Sequence, residues 1–287
     1  MVRCRPCRLV YLNPRPAPAA LDDIYPDSYH AFDFEPERYG LIHAVRSRLE
    51  TRRLRRWCRR LPKRARILDV GCGDGFHLRL LQRHGRPGWQ LEGVDPSPRA
   101  VEAARDAGLT VHAGTVEQAG LPRAQYDLAL MIMTIEHMAD PAATLEAVRQ
   151  LLKPRGRLVV VTDNVDTIDF RVFGRRHWGG YHFPRHFHLF DADTLGALAE
   201  ANGFRVRRME TAVSPVNAVY SVRNLLVDLG APRRVVERFG LDALVGLGVF
   251  TAVDALQAAF DHGSVLTAIL ERPANGHVVR GRFGGAA

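Results

Sequence analysis

The chain has 287 residues, 46% hydrophobic and 25% charged, with 25 Gly, 17 Pro and 4 Cys. That balance excludes disordered, fibrous and disulfide-stapled classes and leaves a folded globular protein. The formal charge of +9, from 40 Lys+Arg against 31 Asp+Glu, invites a nucleic-acid or acidic-membrane reading, yet only Lys63 and Lys153 are lysines, so the excess reflects arginine-biased composition as much as selected binding.

Residues 1–40 carry Pro14, Pro16, Pro18, Pro26 and Pro36 among aromatics and read as an irregular arm with one short strand. From 41 to 61, Leu41, Val45, Leu49, Leu54, Trp57 and Leu61 recur at roughly helical spacing with arginines between them. The pattern predicts an amphipathic helix with a basic outer face, stopped by Pro62. From Arg66 onward strand and helix signals alternate, with strands at 67–70, 91–94, 109–113, 126–133 and 157–162 and helices at 75–84, 98–107 and 142–152. Such apolar strands are buried on both faces, which makes the fold class a doubly wound α/β domain with a parallel sheet between helices.

After a loop dense in aromatics and histidines, a helix at 192–202 is introduced by Asp191 and stopped by Gly203, and a strand follows at 204–210. Residues 214–262 read as helix in two pieces parted near Gly230 to Pro232, 264–272 as the final strand, and 274–287 as a flexible, Gly-rich tail. In the second helical piece Leu241, Leu244, Val245, Val249, Val253, Leu256 and Phe260 repeat at helical intervals, a stripe expected to be buried in core or lid packing. Asp242 and Asp254 interrupt the longest apolar stretch, so no membrane span is expected, and the N-terminus lacks the apolar run of a signal peptide. Cys4, Cys7, Cys58 and Cys72 make no disulfide framework, which fits a reducing, cytoplasmic location.

The chemistry concentrates where strands end. The strand at 67–70 runs into Asp69-Val70-Gly71-Cys72-Gly73-Asp74-Gly75, a turn whose glycines let the backbone bend sharply and approach a ligand. A dinucleotide fingerprint would need its third glycine at position 76, which is Phe76, and Asp74 would repel a pyrophosphate. The next strand ends in Asp95, twenty residues after Gly75, where a carboxylate can accept both ribose hydroxyls. Together these point to an adenosine-type ligand. Gly114-Thr115-Val116-Glu117 and Ile135-Glu136-His137 close the third and fourth strands at the same edge.

The ordered set ILDVGCGDG, GVDPS, AGTVEQ, YDLALMIMTIEHMADP and LLKPRGRLVVVT, over about residues 66–210, resembles the successive motifs of class I S-adenosylmethionine-dependent methyltransferases. The resemblance implies a Rossmann-like seven-stranded sheet with a reversed last strand at 264–272 lying beside 204–210. It implies a methyltransferase domain over 41–273 with a helical lid inserted at about 214–262. It also implies S-adenosyl-L-methionine as cofactor, with Asp69, Gly71, Cys72, Gly73 and Gly75 around its methionine and ribose, Asp95 and Pro96 at the ribose hydroxyls, and Thr115 and Val116 at adenine. The family often has Asp where Thr115 stands.

The segment Trp178-Gly179-Gly180-Tyr181-His182-Phe183-Pro184-Arg185-His186 resembles the Pro-Arg-His stretch of methyltransferases related to ubiquinone-biosynthesis and sugar enzymes. The resemblance puts Trp178, Tyr181 and Arg185 at the substrate, with Arg185 holding an anionic group and His186 acting as a base. The alternative is that Arg185 and His186 brace the loop through backbone carbonyls. His137 is a second candidate base for an alcohol or phenol acceptor, or else shapes its loop. His177, His182, His186 and His188 match no zinc spacing and enclose no carboxylate, so no metal site is expected. Cys4-Arg5-Pro6-Cys7 with LVYLNPRP resembles half of a zinc knuckle, left either by decay of the other half or by a start codon placed too late.

From Arg46 to Arg64, ten Lys+Arg face Glu50 alone. They make a solvated face or a docking surface for an acidic partner, with anionic lipid or an acyl carrier fitting equally well and nucleic acid not expected because no aromatic stacking platform accompanies it. The expected function is methyl transfer to a small-molecule acceptor, most often at oxygen of a sugar, quinone, phenol or other secondary metabolite. An RNA methyltransferase and a non-catalytic cofactor-binding module remain as alternatives.

Overall fold

The computed structural model describes residues 1–17, 20, 24, 36–240 and 244–274. β1 (Val2–Arg3) and β2 (Val10–Tyr11) form a hairpin with Cys4 and Cys7 at its tip. The Cys4 amide donates to the Leu9 carbonyl at 2.8 Å and the Arg8 amide to the Cys4 carbonyl at 3.0 Å, and both cysteines are free thiols. α1 (Pro36–Cys58) follows; it stops at Cys58 and does not reach Leu61. Of the expected apolar stripe, Leu54 and Trp57 are buried against the sheet while Val45 and Leu49 are exposed, and Leu41 is described in backbone only.

The domain is built from β3 (Arg66–Val70), α2 (Phe76–His84), β4 (Gln90–Asp95), α3 (Pro98–Asp106), β5 (Thr110–Ala113), β6 (Tyr126–Ile132), α4 (Pro141–Leu151) and β7 (Leu152–Asp163). A 3-10 turn, Ile135–His137, follows β6 directly. Local chemistry sets the helix starts. The Ser97 side chain accepts from the Ala100 amide with Pro98 in the first turn, and the Asp140 carboxylate accepts from Ala142 and Ala143 with Pro141 behind it. Beyond β7 come α5 (Ile168–Phe173), a 3-10 turn at Gly179–Tyr181, β8 (His188–Leu189), α6 (Ala192–Ala201) and β9 (Arg205–Ala212). α7 (Val216–Asp228), α8 (Arg233–Val236), α9 (Leu244–Ala258) and β10 (Val265–Glu271) complete it. Where two helical pieces of the insertion were expected, the described residues hold three helices.

The main sheet has seven strands in the order β5-β4-β3-β6-β7-β10-β9. β3 lies parallel to β4 and β6, pairing Asp69 with Gly93 and with Leu130, so the carboxyl ends of these strands open at one edge. β10 is reversed and sits between β7 and β9, with Val265 opposite Asp163 on one side and Ala212 on the other. Alternate residues feed two apolar layers. Leu68, Val70, Met131 and Val160 enter one, and Ile67, Leu128, Leu130 and Val159 enter the other with Leu54 and Trp57 of α1.

The first residues of the arm are tied to the domain. β2 pairs antiparallel with β8, Val10 facing Leu189, and the Leu12 amide donates to the Phe187 carbonyl at 2.8 Å. Its first residues therefore extend the region that follows β7.

On α9 the expected burial is reversed. Val249, Val253 and Leu256, and Phe260 just beyond the helix, are exposed, while Asp254 and Gln257 are buried. The Asp254 carboxylate accepts from the amides of Ser214 and Ser264 at 2.6 and 3.0 Å and from the Ser264 hydroxyl at 2.8 Å, and Gln257 accepts from the Ile168 amide at 2.7 Å. Loop backbone that would otherwise be orphaned is satisfied this way, and it draws the polar side of the helix inward. Leu241 lies outside the described residues, and Leu244 and Val245 are described in backbone only. Among the described residues no helix is long and apolar enough to cross a membrane.

Candidate active site

The glycine turn after β3 crosses the carboxyl edge of the sheet, where open α/β sheets bind ligands. Gly71, Gly73 and Gly75 all have positive φ, at 69°, 53° and 84°. The amides of Gly71 and Cys72 donate to the Val94 carbonyl at 2.8 and 3.2 Å, which ties the turn to the end of β4. At Gly71 a Cβ would meet the Thr134 side chain, so the turn is seated directly against the loop leaving β6. At Gly73 the same Cβ would meet nothing within 4 Å. One glycine is pinned by packing and the other borders open space.

Two carboxylates flank that space. Asp95 is buried, and its two oxygens accept from the Gly73 and Ser97 amides at 2.8 and 2.9 Å. Burial raises its pKa and these two bonds pull it down, with a net shift upward. Each oxygen keeps further lone-pair capacity for hydroxyl donors. Asp69 is 1% exposed, and its Oδ2 has no hydrogen-bond partner among the described residues. The nearest basic group, His77 Nδ1, is 3.9 Å away, and burial lowers that histidine to about 4, so it is neutral at pH 7. Burial, and then the Asp95 charge, push Asp69 up to about 8. An uncompensated acid at that place is complementary to a cation.

The other sequence-assigned cofactor positions divide. The Cys72 side chain packs beneath the turn with Leu78, Val101 and Leu109, so only its backbone belongs to the site. Burial pushes its thiol far up, which makes it inert. Pro96 is exposed beside Asp95, and Thr115 is exposed at the end of β5. Val116 points into the core and has only its main chain to offer an adenine edge. Sequence reasoning missed Thr134, whose contact with Gly71 is visible only once β6 is placed beside β3.

Across the edge, Glu136 and His137 of the 3-10 turn meet the segment leading into β8. The Phe187 amide donates to the Glu136 carbonyl at 2.8 Å. His137 Nδ1 lies 3.2 Å from the Arg185 carbonyl, and His186 Nδ1 lies 2.8 Å from the Gly180 carbonyl. The two imidazoles stand edge to face, 4.6 Å between centroids. Burial lowers both, His137 to about 4 and His186 well below its ordinary range, with the neighbouring histidines and Arg185 acting in the same direction.

Glu136 Oε2 accepts from the Thr162 hydroxyl at 2.9 Å, and burial with the nearby Asp163 charge raises the acid to about 8. Asp163 in turn accepts from Asn217 of α7 at 2.8 Å. Asp163 stands at the end of β7, where a strand-terminal acid is readable in sequence; Asn217 carries no comparable signal.

The expected substrate residues behave differently. Trp178 is a packing residue, not a surface for an acceptor: it is 1% exposed, its indole N–H donates to Asp169 Oδ2 at 2.7 Å, and its ring packs on Phe170 and Tyr181. Tyr181 donates its hydroxyl to the Gly174 carbonyl and closes the same cluster. Arg185 Nε donates to the Ile24 carbonyl at 3.0 Å. That bond and the one from His186 to Gly180 are the loop-bracing alternative, realised at both residues.

A family model described as a methyltransferase domain matches residues 41–208. Ubiquinone biosynthesis O-methyltransferase of Cereibacter sphaeroides is 38% identical over 105 residues, 34% of this chain and 41% of that protein. The chain therefore matches less than half the length of that curated relative. Among solved structures, a SAM-dependent methyltransferase of Thermotoga maritima superposes with TM-score 0.53 at 21% identity, covering 83% of this chain and 94% of that one. The [4+2]-cyclase SpnF superposes with TM-score 0.52 at 21% identity, covering 80% and 81%. These two likenesses establish the fold, and the second carries a different reaction in its name, so the reaction must be argued from the site.

Proposed function

The chain belongs to the methyltransferase-domain family, and from that premise we propose that it transfers the methyl group of S-adenosylmethionine to an oxygen of a small-molecule acceptor. The observation that carries the proposal is the open face of Gly73 between two buried carboxylates, one of them without a partner. Asp69 suits the cationic methionyl end of the cofactor, and Asp95 suits the ribose hydroxyls while the Gly73 and Ser97 amides keep it aimed. When bound, the cofactor supplies an electrophilic methyl on sulfonium, and displacement there needs chiefly an in-line nucleophile.

The acceptor side is the Glu136, His137 and His186 cluster, joined to the cofactor loop through Thr134. An alcohol or phenol must lose its proton on the way to the ether, and this cluster is where basic side chains gather next to that loop. The name of the Cereibacter relative points the same way, toward a phenolic or quinol acceptor, with a sugar hydroxyl as the other candidate. Calorimetric titration with S-adenosylhomocysteine, with NADH in parallel, tests the reading. Saturable micromolar binding of the first alone is expected; binding of NADH alone, or of neither, removes it.

A further inference from the structure

Glu136, His137 and His186 each place one ligand-type atom within 4.8 Å of the other two. Two of the three come from one 3-10 turn and the third from the segment before β8, and the Phe187-to-Glu136 backbone bond locks the two pieces together. Nδ1 of each histidine faces a backbone carbonyl, which can only accept. Each Nδ1 must therefore carry the proton, and in a neutral imidazole the lone pair then sits on Nε2. A carbonyl holding Nδ1–H is the support that metal-ligating histidines ordinarily have.

The carboxylate completes the pattern. Glu136 is 0% exposed, and while Oε2 is satisfied by Thr162, Oε1 has no hydrogen-bond partner among the described residues. A buried carboxylate oxygen left without a donor is costly, and a cation removes that cost. Two neutral imidazoles and one carboxylate suit a first-row divalent ion such as zinc or ferrous iron, whereas magnesium and calcium prefer all-oxygen shells. Ligands about 2.0–2.2 Å from one tetrahedral ion stand about 3.4 Å apart, so atoms within 4.8 Å of one another have at most about 1.4 Å to close, a side-chain adjustment. The ring of His182, an exposed residue, lies 4.9 Å from that of His186.

We propose that Glu136, His137 and His186 bind one first-row divalent metal ion, with its remaining positions left to water and the acceptor oxygen. The ion's catalytic role rests on the methyltransferase reading; its binding does not. In that role it acidifies the acceptor hydroxyl, whose proton passes to water. The oxygen then forms a bond to the methyl carbon, the carbon–sulfur bond breaks, and its electron pair stays on sulfur as neutral S-adenosylhomocysteine. No oxidant or reductant is involved.

The test uses the full chain carrying Cys4→Ser and Cys7→Ser, so that the thiol pair cannot take the ion, titrated with Co2+ and followed by visible absorption. One Co2+ per chain is expected, with ligand-field bands of nitrogen and oxygen coordination. Glu136→Gln and His186→Gln should each weaken it by more than about a hundredfold, beyond the loss typical of a supporting residue.

S-adenosylhomocysteine affinity and thermal melting, measured on the same proteins, show whether each variant is folded. Should His186→Gln fail to fold, the isosteric Glu136→Gln alone decides. Absence of saturable Co2+ binding, or unchanged affinity in folded Glu136→Gln, overturns the metal site. A protein that binds Co2+ but not S-adenosylhomocysteine keeps the metal site and loses the methyltransferase reading; the converse keeps the reading and loses the site.

Discussion

The cofactor half and the acceptor half of the sheet edge are built by different means. Around β3, β4 and β5 the site is mostly main chain: glycines at positive φ, amides on carbonyls, and one carboxylate aimed by two N–H groups. Beyond β6 and β7 it is mostly side chain, a buried set running from Glu136 and His186 through Asp163 to Asn217, with Asp254 and Gln257 fastening α9 behind it. Main-chain geometry tolerates many side chains, whereas a buried polar network tolerates few. The cofactor half is thus the part that can be shared across a family, and the acceptor half is the part that must be particular to a chain.

Breaking the second kind of construction should cost most. Asp254→Ala strands the Ser214 and Ser264 amides without an acceptor, and a loss of about 3–5 kcal/mol of stability is expected in denaturant titration. Asp95→Ala addresses the first kind: its aiming bonds disappear with the carboxylate, yet the glycine turn remains. S-adenosylhomocysteine affinity should fall by about 1–3 kcal/mol in calorimetry, on top of a smaller loss of stability from leaving the Gly73 and Ser97 amides without their acceptor. Unchanged affinity would remove the ribose assignment.

A third change tests a polar cluster of the cofactor half. Burial tends to raise Glu92, but bonds from Arg66 at 2.6 Å, Tyr126 at 3.0 Å and His112 at 3.1 Å outweigh it and hold the acid below its ordinary range. An acid lowered by folding contributes stability that is complete above its unfolded pKa of about 4.3 and is lost as pH falls toward the folded value. Glu92→Gln should therefore lose about 1–2 kcal/mol at pH 7 and show a shallower decline of stability below about pH 4.3 than the parent. The smallest effect belongs to the outer face of α9, where Leu256→Ser should change stability by less than about 0.5 kcal/mol. A large loss there would mean that the helix face is covered.

How much of this the residues announce follows the same division. β3 through β7 were readable because a strand buried on both faces is an uninterrupted apolar run, and the reversed β10 came with the family resemblance carried by those runs. The glycine turn, Asp95 and the Glu136-His137 pair were readable because each directly follows such a run. Periodicity revealed a stripe on α9 but not which side faces in. That choice is made by Asp254 and Gln257 reaching backbone at Ser214 and Ile168, partners remote in sequence. Trp178 was placed at the substrate by the resemblance of its segment to the Pro-Arg-His stretch; its partner Asp169 shows that it packs the loop. His186 could be singled out as a base, but its meeting with Glu136 depends on β8 folding back, which spacing does not encode.

The reversed strand has a consequence for how this chain can change. Ala212 and Val265 are paired across β9 and β10, so the residues between them form a loop closed at its base by the sheet's own hydrogen bonds. Closure entropy grows only logarithmically with loop length, and doubling such a loop costs about 0.6 kcal/mol. Helices can be lengthened, shortened or exchanged inside that loop while its base stays in register. α7 to α9 are in that sense a replaceable cassette, and the glycine turn at the far end of the edge has no part in what is loaded into it.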